Sequence, residues 1–123
     1  MSDDQVDQVW IDAAGVDELD DGDVKRVETV PPVALYRVGD EFFATADTCT
    51  HMEFALSDGY LDEVRIECAL HMAEFDIRTG KALSLPATRS LDTYPVEVVG
   101  ERVRIDVGTK VLVPRALVVA GEG

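Results

Sequence analysis

Every cysteine and every histidine in this chain falls within one stretch of 23 residues. Cys49-Thr50-His51 is followed by sixteen residues and then by Cys68-Ala69-Leu70-His71. A chain that uses its whole stock of both residue types in two matched pairs must bring two short segments face to face around one centre. Two thiolates and two imidazoles suit either a single tetrahedral zinc or a [2Fe–2S] cluster with cysteines on one iron and histidines on the other. A disulfide between Cys49 and Cys68 would leave the matched histidines unexplained. Metal-bound thiolates in a reducing, cytoplasmic compartment are therefore expected.

The chain has 123 residues, enough for one domain with one core. Twenty-five acidic against eleven basic residues give a formal charge of −14. That field repels nucleic acid and anionic membrane and favours a partner with a basic patch. Residues 1–23 carry nine Asp or Glu and no Lys or Arg, the pattern of a solvated terminus. The N-terminus has no basic and apolar succession of the secretory kind, so no signal peptide is expected. No apolar run approaches the roughly 20 residues that span a bilayer.

The chain reads as short strands separated by turns. Val9-Trp10-Ile11 is β-prone and is ended by Ala14-Gly15; residues 17–22 read as a turn or one helical turn. Residues 24–30 read as an edge strand, broken by Pro31-Pro32. Residues 33–38 and 41–45 are clear strands joined by Gly39-Asp40, which fits a two-residue hairpin turn. Residues 63–68 alternate, with Val64, Ile66 and Cys68 on one side, and residues 74–78 form a further short strand closed by Thr79-Gly80. Each Cys-His pair then sits near the tip of a hairpin. Residues 94–99 and 102–107 form a last hairpin around Gly100-Glu101. The apolar tail 108–123 reads as an extra strand or an interface segment and is left unassigned. The expectation is an all-β domain without a long helix.

The pairs Cys49/His51 and Cys68/His71, with residues 75–81 (Phe-Asp-Ile-Arg-Thr-Gly-Lys) and Tyr94-Pro95-Val96, resemble the Rieske ferredoxins of bacterial aromatic-ring-hydroxylating dioxygenase systems. The resemblance covers about residues 9–107. It implies a Rieske fold: an antiparallel β-sandwich or barrel base, with a cluster-binding subdomain of two hairpin loops near 46–88, in a single domain spanning 1–123. A third, proline-containing loop covers the cluster in that family, and Leu85-Pro86-Ala87 matches it. The resemblance also implies one [2Fe–2S] cluster, with Cys49 and Cys68 on the buried iron and His51 and His71 on the outer iron. Electrons would arrive from a flavin-containing NAD(P)H ferredoxin reductase and leave to a terminal oxygenase.

Departures from the wider family bear on potential. High-potential relatives carry an extra disulfide-forming cysteine in each ligand loop, where this chain has Phe54 and Leu70. They also direct a Ser and a Tyr hydroxyl at the cluster, where this chain has Ala73 and Phe75. The residue after the first histidine, often Gly in the ferredoxins, is Met52. Met52 and Met72, rimmed by Glu53, Glu63 and Glu74, are the expected docking tip. A terminal oxygenase is disfavoured, because a mononuclear iron site needs two further histidines and none remains. Two rivals stand beside the carrier reading. One is the small Rieske subunit of a nitrite reductase, many of which lack the ligands. The other is a zinc-binding interaction module.

Overall fold

The computed structural model describes residues 9–48, 55–68, 73–83 and 90–118. The expected all-β architecture is borne out. The described residues form ten strands in three antiparallel sheets, and their helical content is confined to three-residue 3₁₀ turns. The strands are β1 (Trp10–Gly15), β2 (Val24–Val27), β3 (Val33–Val38), β4 (Glu41–Ala46) and β5 (Tyr60–Asp62). They continue with β6 (Arg65–Glu67), β7 (Glu74–Asp76), β8 (Thr93–Tyr94), β9 (Val96–Val99) and β10 (Arg102–Asp106).

The first sheet has the order β1-β10-β9 and the second β2-β3-β4-β8; together they form the base. The third, β5-β6-β7, leads into the Cys-His segments. Strand β3 explains how the layers stack. Its residues Val33, Ala34, Leu35 and Tyr36 are all fully buried, because both faces of the strand are covered. Side chains alternate along a strand. Val33 and Leu35 therefore join the base core with Ile11, Val103 and Ile105. Ala34 and Tyr36 join a second core with Ile66, Cys68, Phe75 and Leu91. The second sheet is thus the shared wall between the first sheet and the site-bearing sheet.

Several boundaries differ from the sequence expectation, each for a local reason. Strand β1 runs through Ala14 to Gly15 because a bulge between Asp12 and Ala14 inserts one residue. That insertion lets consecutive Ala13 and Ala14 both face the core. The strand expected over 63–68 is only Arg65–Glu67. Glu63-Val64 form the turn of a hairpin whose other arm, β5, was not expected. Glu63 takes φ +55 there without a glycine to signal it. The strand expected over 94–99 is divided at Pro95. Tyr94 pairs with Ala44 in the second sheet, whereas Val96 pairs with Ile105 in the first. The expected strand over 24–30 stops at Val27 and does lie at a sheet edge. Over its described residues, 108–118, the tail is neither a regular strand nor detached. It makes isolated bridges Val30↔Leu112 and Ile11↔Val118 around a 3₁₀ turn at Arg115–Leu117 and buries Val111 in the base core.

Candidate metal centre

The described residues stop short of three of the four expected ligands. Cys49, His51 and His71 lie outside them, as do Met52, Met72, Glu53 and Leu85-Pro86-Ala87. Among the described residues no three His, Cys, Asp or Glu side chains gather as a metal site. Cys68 is described, and so are the stems of all three intervals.

Each stem is closed by backbone bonds. Thr48 bridges Ala55 across the interval 49–54. The Cys68 N–H donates to the Ala73 carbonyl at 2.8 Å across 69–72. The third interval, 84–89, starts after Leu83, whose N–H donates to Glu74 O at 2.7 Å. It ends before Leu91, whose N–H donates to Gly80 O at 2.7 Å. Leu56, Cys68, Ala73 and Leu91 flank these intervals, and all four belong to the second core. Three segments remote in sequence therefore leave from, and return to, one apolar floor.

Two close contacts tighten that floor. Gly80 has φ +80, and a Cβ built on it would overlap the Leu91 carbonyl oxygen. Only glycine lets the turn after β7 press against the end of the third interval. On the β3–β4 wall the Tyr36 hydroxyl lies 2.8 Å from Thr45 Oγ1, and Thr45 Oγ1 donates to the Ala46 carbonyl at 2.8 Å. The tyrosine therefore donates to the threonine. Burial pushes its phenol well above the usual range, so it stays neutral.

Asp47 is the site feature that sequence reasoning missed. It follows β4 directly and is fully buried. Its Oδ1 accepts the Ser57 N–H at 2.7 Å and its Oδ2 accepts the Ser57 hydroxyl at 3.0 Å. Burial raises its carboxyl above the ordinary value, and the Ser57 hydrogen bonds and the Arg26 charge pull the other way. An aspartate two residues before a cysteine carries no periodicity or spacing signal, and aspartate is ordinarily exposed.

The surroundings of Cys68 fit a metal-bound thiolate. Cys68 is fully buried, forms no disulfide, and ends the alternating face of β6 among Ile66, Ala73 and Phe75. A thiolate in that apolar setting is suited to a metal that neutralises it. Ala73 and Phe75 are both fully buried in the same core, and neither supplies a hydroxyl. The Arg78 guanidinium is held by Asp76 Oδ2 at 2.9 Å, so the motif Phe75-Asp76-Ile77-Arg78 builds the turn after β7.

Comparison with known proteins agrees with this geometry. The Rieske [2Fe-2S] domain family matches residues 9–95. The chain is 47% identical over 95 residues to the 3-phenylpropionate/cinnamic acid dioxygenase ferredoxin subunit of Escherichia coli strain K12, covering 76% of this chain and 90% of the relative. Among solved structures, a chain of the complex of reduced oxygenase and oxidised ferredoxin in carbazole 1,9a-dioxygenase superposes with a TM-score of 0.78 at 40% identity. That match covers 80% of this chain and 94% of the other. The Sphingomonas yanoikuyae B1 ferredoxin superposes with a TM-score of 0.73 at 39% identity, over 77% of this chain and 95% of its own. A nitrite reductase small subunit from Mycobacterium tuberculosis, at 23% identity and a TM-score of 0.72, shares the fold alone. With its buried Cys68 and a match over residues 9–95, the chain belongs to the Rieske [2Fe–2S] domain family and carries one [2Fe–2S] cluster.

Proposed function

We propose that this protein is a one-electron carrier. It takes electrons from a flavin-containing NAD(P)H reductase and delivers them to a terminal Rieske non-haem iron oxygenase in aromatic compound degradation. Cys49, His51, Cys68 and His71 are the proposed cluster ligands. The cluster-binding part spans about 46–88 within a single domain, 1–123. The observation that carries the reading is the buried Cys68 on a floor where the stems of three intervals meet. Relatives of matching length are ferredoxin subunits of dioxygenases, and one similar structure comes from an oxygenase–ferredoxin complex.

When bound, two ferric ions, two sulfides and two thiolates sum to zero charge, and the cluster accepts one electron. The chain's own residues hold the ligand stems, shield the buried cysteine from water and leave no histidine for a catalytic iron. The protein is thus an electron-transfer component, and the oxygen chemistry falls to its partner. Metal-bound thiolates and a nicotinamide-driven donor make the cytoplasm the compartment that suits it. No observation favours the nitrite reductase reading, since that likeness extends only to the fold.

The test is a reductive titration of the purified protein followed by visible absorption and EPR. The carrier reading expects a brown protein that takes up one electron per chain and passes it on to an aromatic-ring oxygenase. A colourless zinc protein, or a reduced protein that no such oxygenase reoxidises, would overturn it.

A further inference from the structure

We propose that Asp47 is a positioning residue for the first ligand segment, its buried carboxylate clasping Ser57 so as to aim the stem that carries Cys49 and His51. The proposal rests on the ligand reading above. Four bonds leave this one residue. Its N–H donates to Pro32 O at 3.0 Å, which anchors it to the segment before β3. Its carbonyl accepts the Leu56 N–H at 2.6 Å. Its two carboxylate oxygens take the Ser57 N–H and the Ser57 hydroxyl at 2.7 and 3.0 Å. Three of the four bonds therefore cross from one side of the 49–54 interval to the other.

Closing the stem does not require the carboxylate. The Thr48↔Ala55 bridge and the Leu56 N–H bond already join the two arms through backbone. A carboxylate withdrawn from water is costly, and an apolar side chain would fill the same space more cheaply. What the side chain adds is a second, directional clasp, with both oxygens committed to one residue on the far arm. Such a clasp fixes the twist and separation of the two arms beyond what a single bridge does. Metal ligands need that precision from the residues behind them, and loss of such support costs about 10–100-fold in metal affinity. The Arg26 guanidinium lies 3.9 Å from Oδ2 and is half-exposed.

The experiment compares the holoprotein with its Asp47→Ala, Asp47→Asn and Ser57→Ala variants. Iron loss to a chelator, the reduced-state EPR g-values, the midpoint potential and Tm are read for each. Asp47→Ala and Ser57→Ala are expected to shift the g-values and speed iron loss about tenfold. Asp47→Asn keeps the shape and one acceptor, so it is expected to retain the wild-type g-values and iron-loss rate. Wild-type g-values and iron-loss rates in both Asp47→Ala and Ser57→Ala, with only Tm lowered, would reduce Asp47 to an ordinary stabilising residue and overturn the proposal. If Asp47→Ala does not fold, Ser57→Ala alone decides, because it removes one hydroxyl from a half-buried side chain. A wild-type protein lacking the cluster spectrum would instead refute the ligand reading beneath it.

Discussion

Replacing Gly80 by alanine tests how tightly the third interval is tied to the site floor. Gly80 has φ +80, a conformation that costs an L residue about 1–2 kcal/mol. A Cβ there would also overlap the Leu91 carbonyl oxygen and come within 3.1 Å of Thr93 Cγ2. Relief requires Leu91 to retreat, which loosens its N–H bond to Gly80 and its place in the second core. Overpacking of this kind adds about 1–3 kcal/mol. Gly100 provides the control. It has φ +62 but nothing within 4 Å of a built Cβ, so alanine there meets the backbone cost alone. At about 4 °C per kcal/mol for a domain of this size, Gly100→Ala should lower Tm by about 4–8 °C and Gly80→Ala by about 8–20 °C. Thermal unfolding followed by far-UV circular dichroism on the two holo variants measures both. Equal shifts would refute the close approach of the β7 turn to Leu91.

Three further outcomes are expected. Cys68→Ser, or alanine at His51 or His71, should abolish the native reduced-state EPR spectrum, and survival of that spectrum in any one variant would break the ligand assignment. With buried Ala73 and Phe75 offering no hydroxyl, the midpoint potential should lie near about −150 mV, the low end for such centres, and Ala73→Ser with Phe75→Tyr should raise it in protein-film voltammetry. The side-chain hydrogen bond from Arg78, foremost, holds the Asp76 carboxyl below its usual range; a depressed folded value stabilises above the unfolded value near about pH 4 and is lost as pH falls through the folded one, so Arg78→Met should lower Tm at about pH 7 more than at about pH 2.

Much of this was legible because the informative residues were scarce or periodic. Two Cys-His pairs stand out when no other cysteine or histidine exists. Strands β3 and β4 follow from the β-prone apolar runs on either side of Gly39-Asp40, and the register Val38↔Glu41 matches a two-residue turn. What escaped was decided by tertiary contact. Strand β5 is three residues long and turns at Glu63, which lacks the usual turn chemistry. The change of sheet at Pro95 depends on which strand each flank meets, and the local run of valines does not encode it. The four consecutive buried residues of β3 hide the fact that they serve two cores. Asp47 looks like any surface acid until Ser57 is seen beside it.

The pairing of β1 with β10 has a consequence for the order of assembly. Trp10 finds its partner in Asp106, so β1 waits for β10, the last of the described strands. The β5-β6-β7 sheet, by contrast, is closed within residues 60–76 by neighbouring hairpins. Contacts so close in sequence form early and cost little loop entropy, whereas the base closes late. A nascent chain that has emerged as far as His71 already holds all four proposed ligands, while β1 is still an unpaired, partly apolar strand. Metal loading and closure of the base are therefore separable events along the growing chain, and β1 stays unpaired between them.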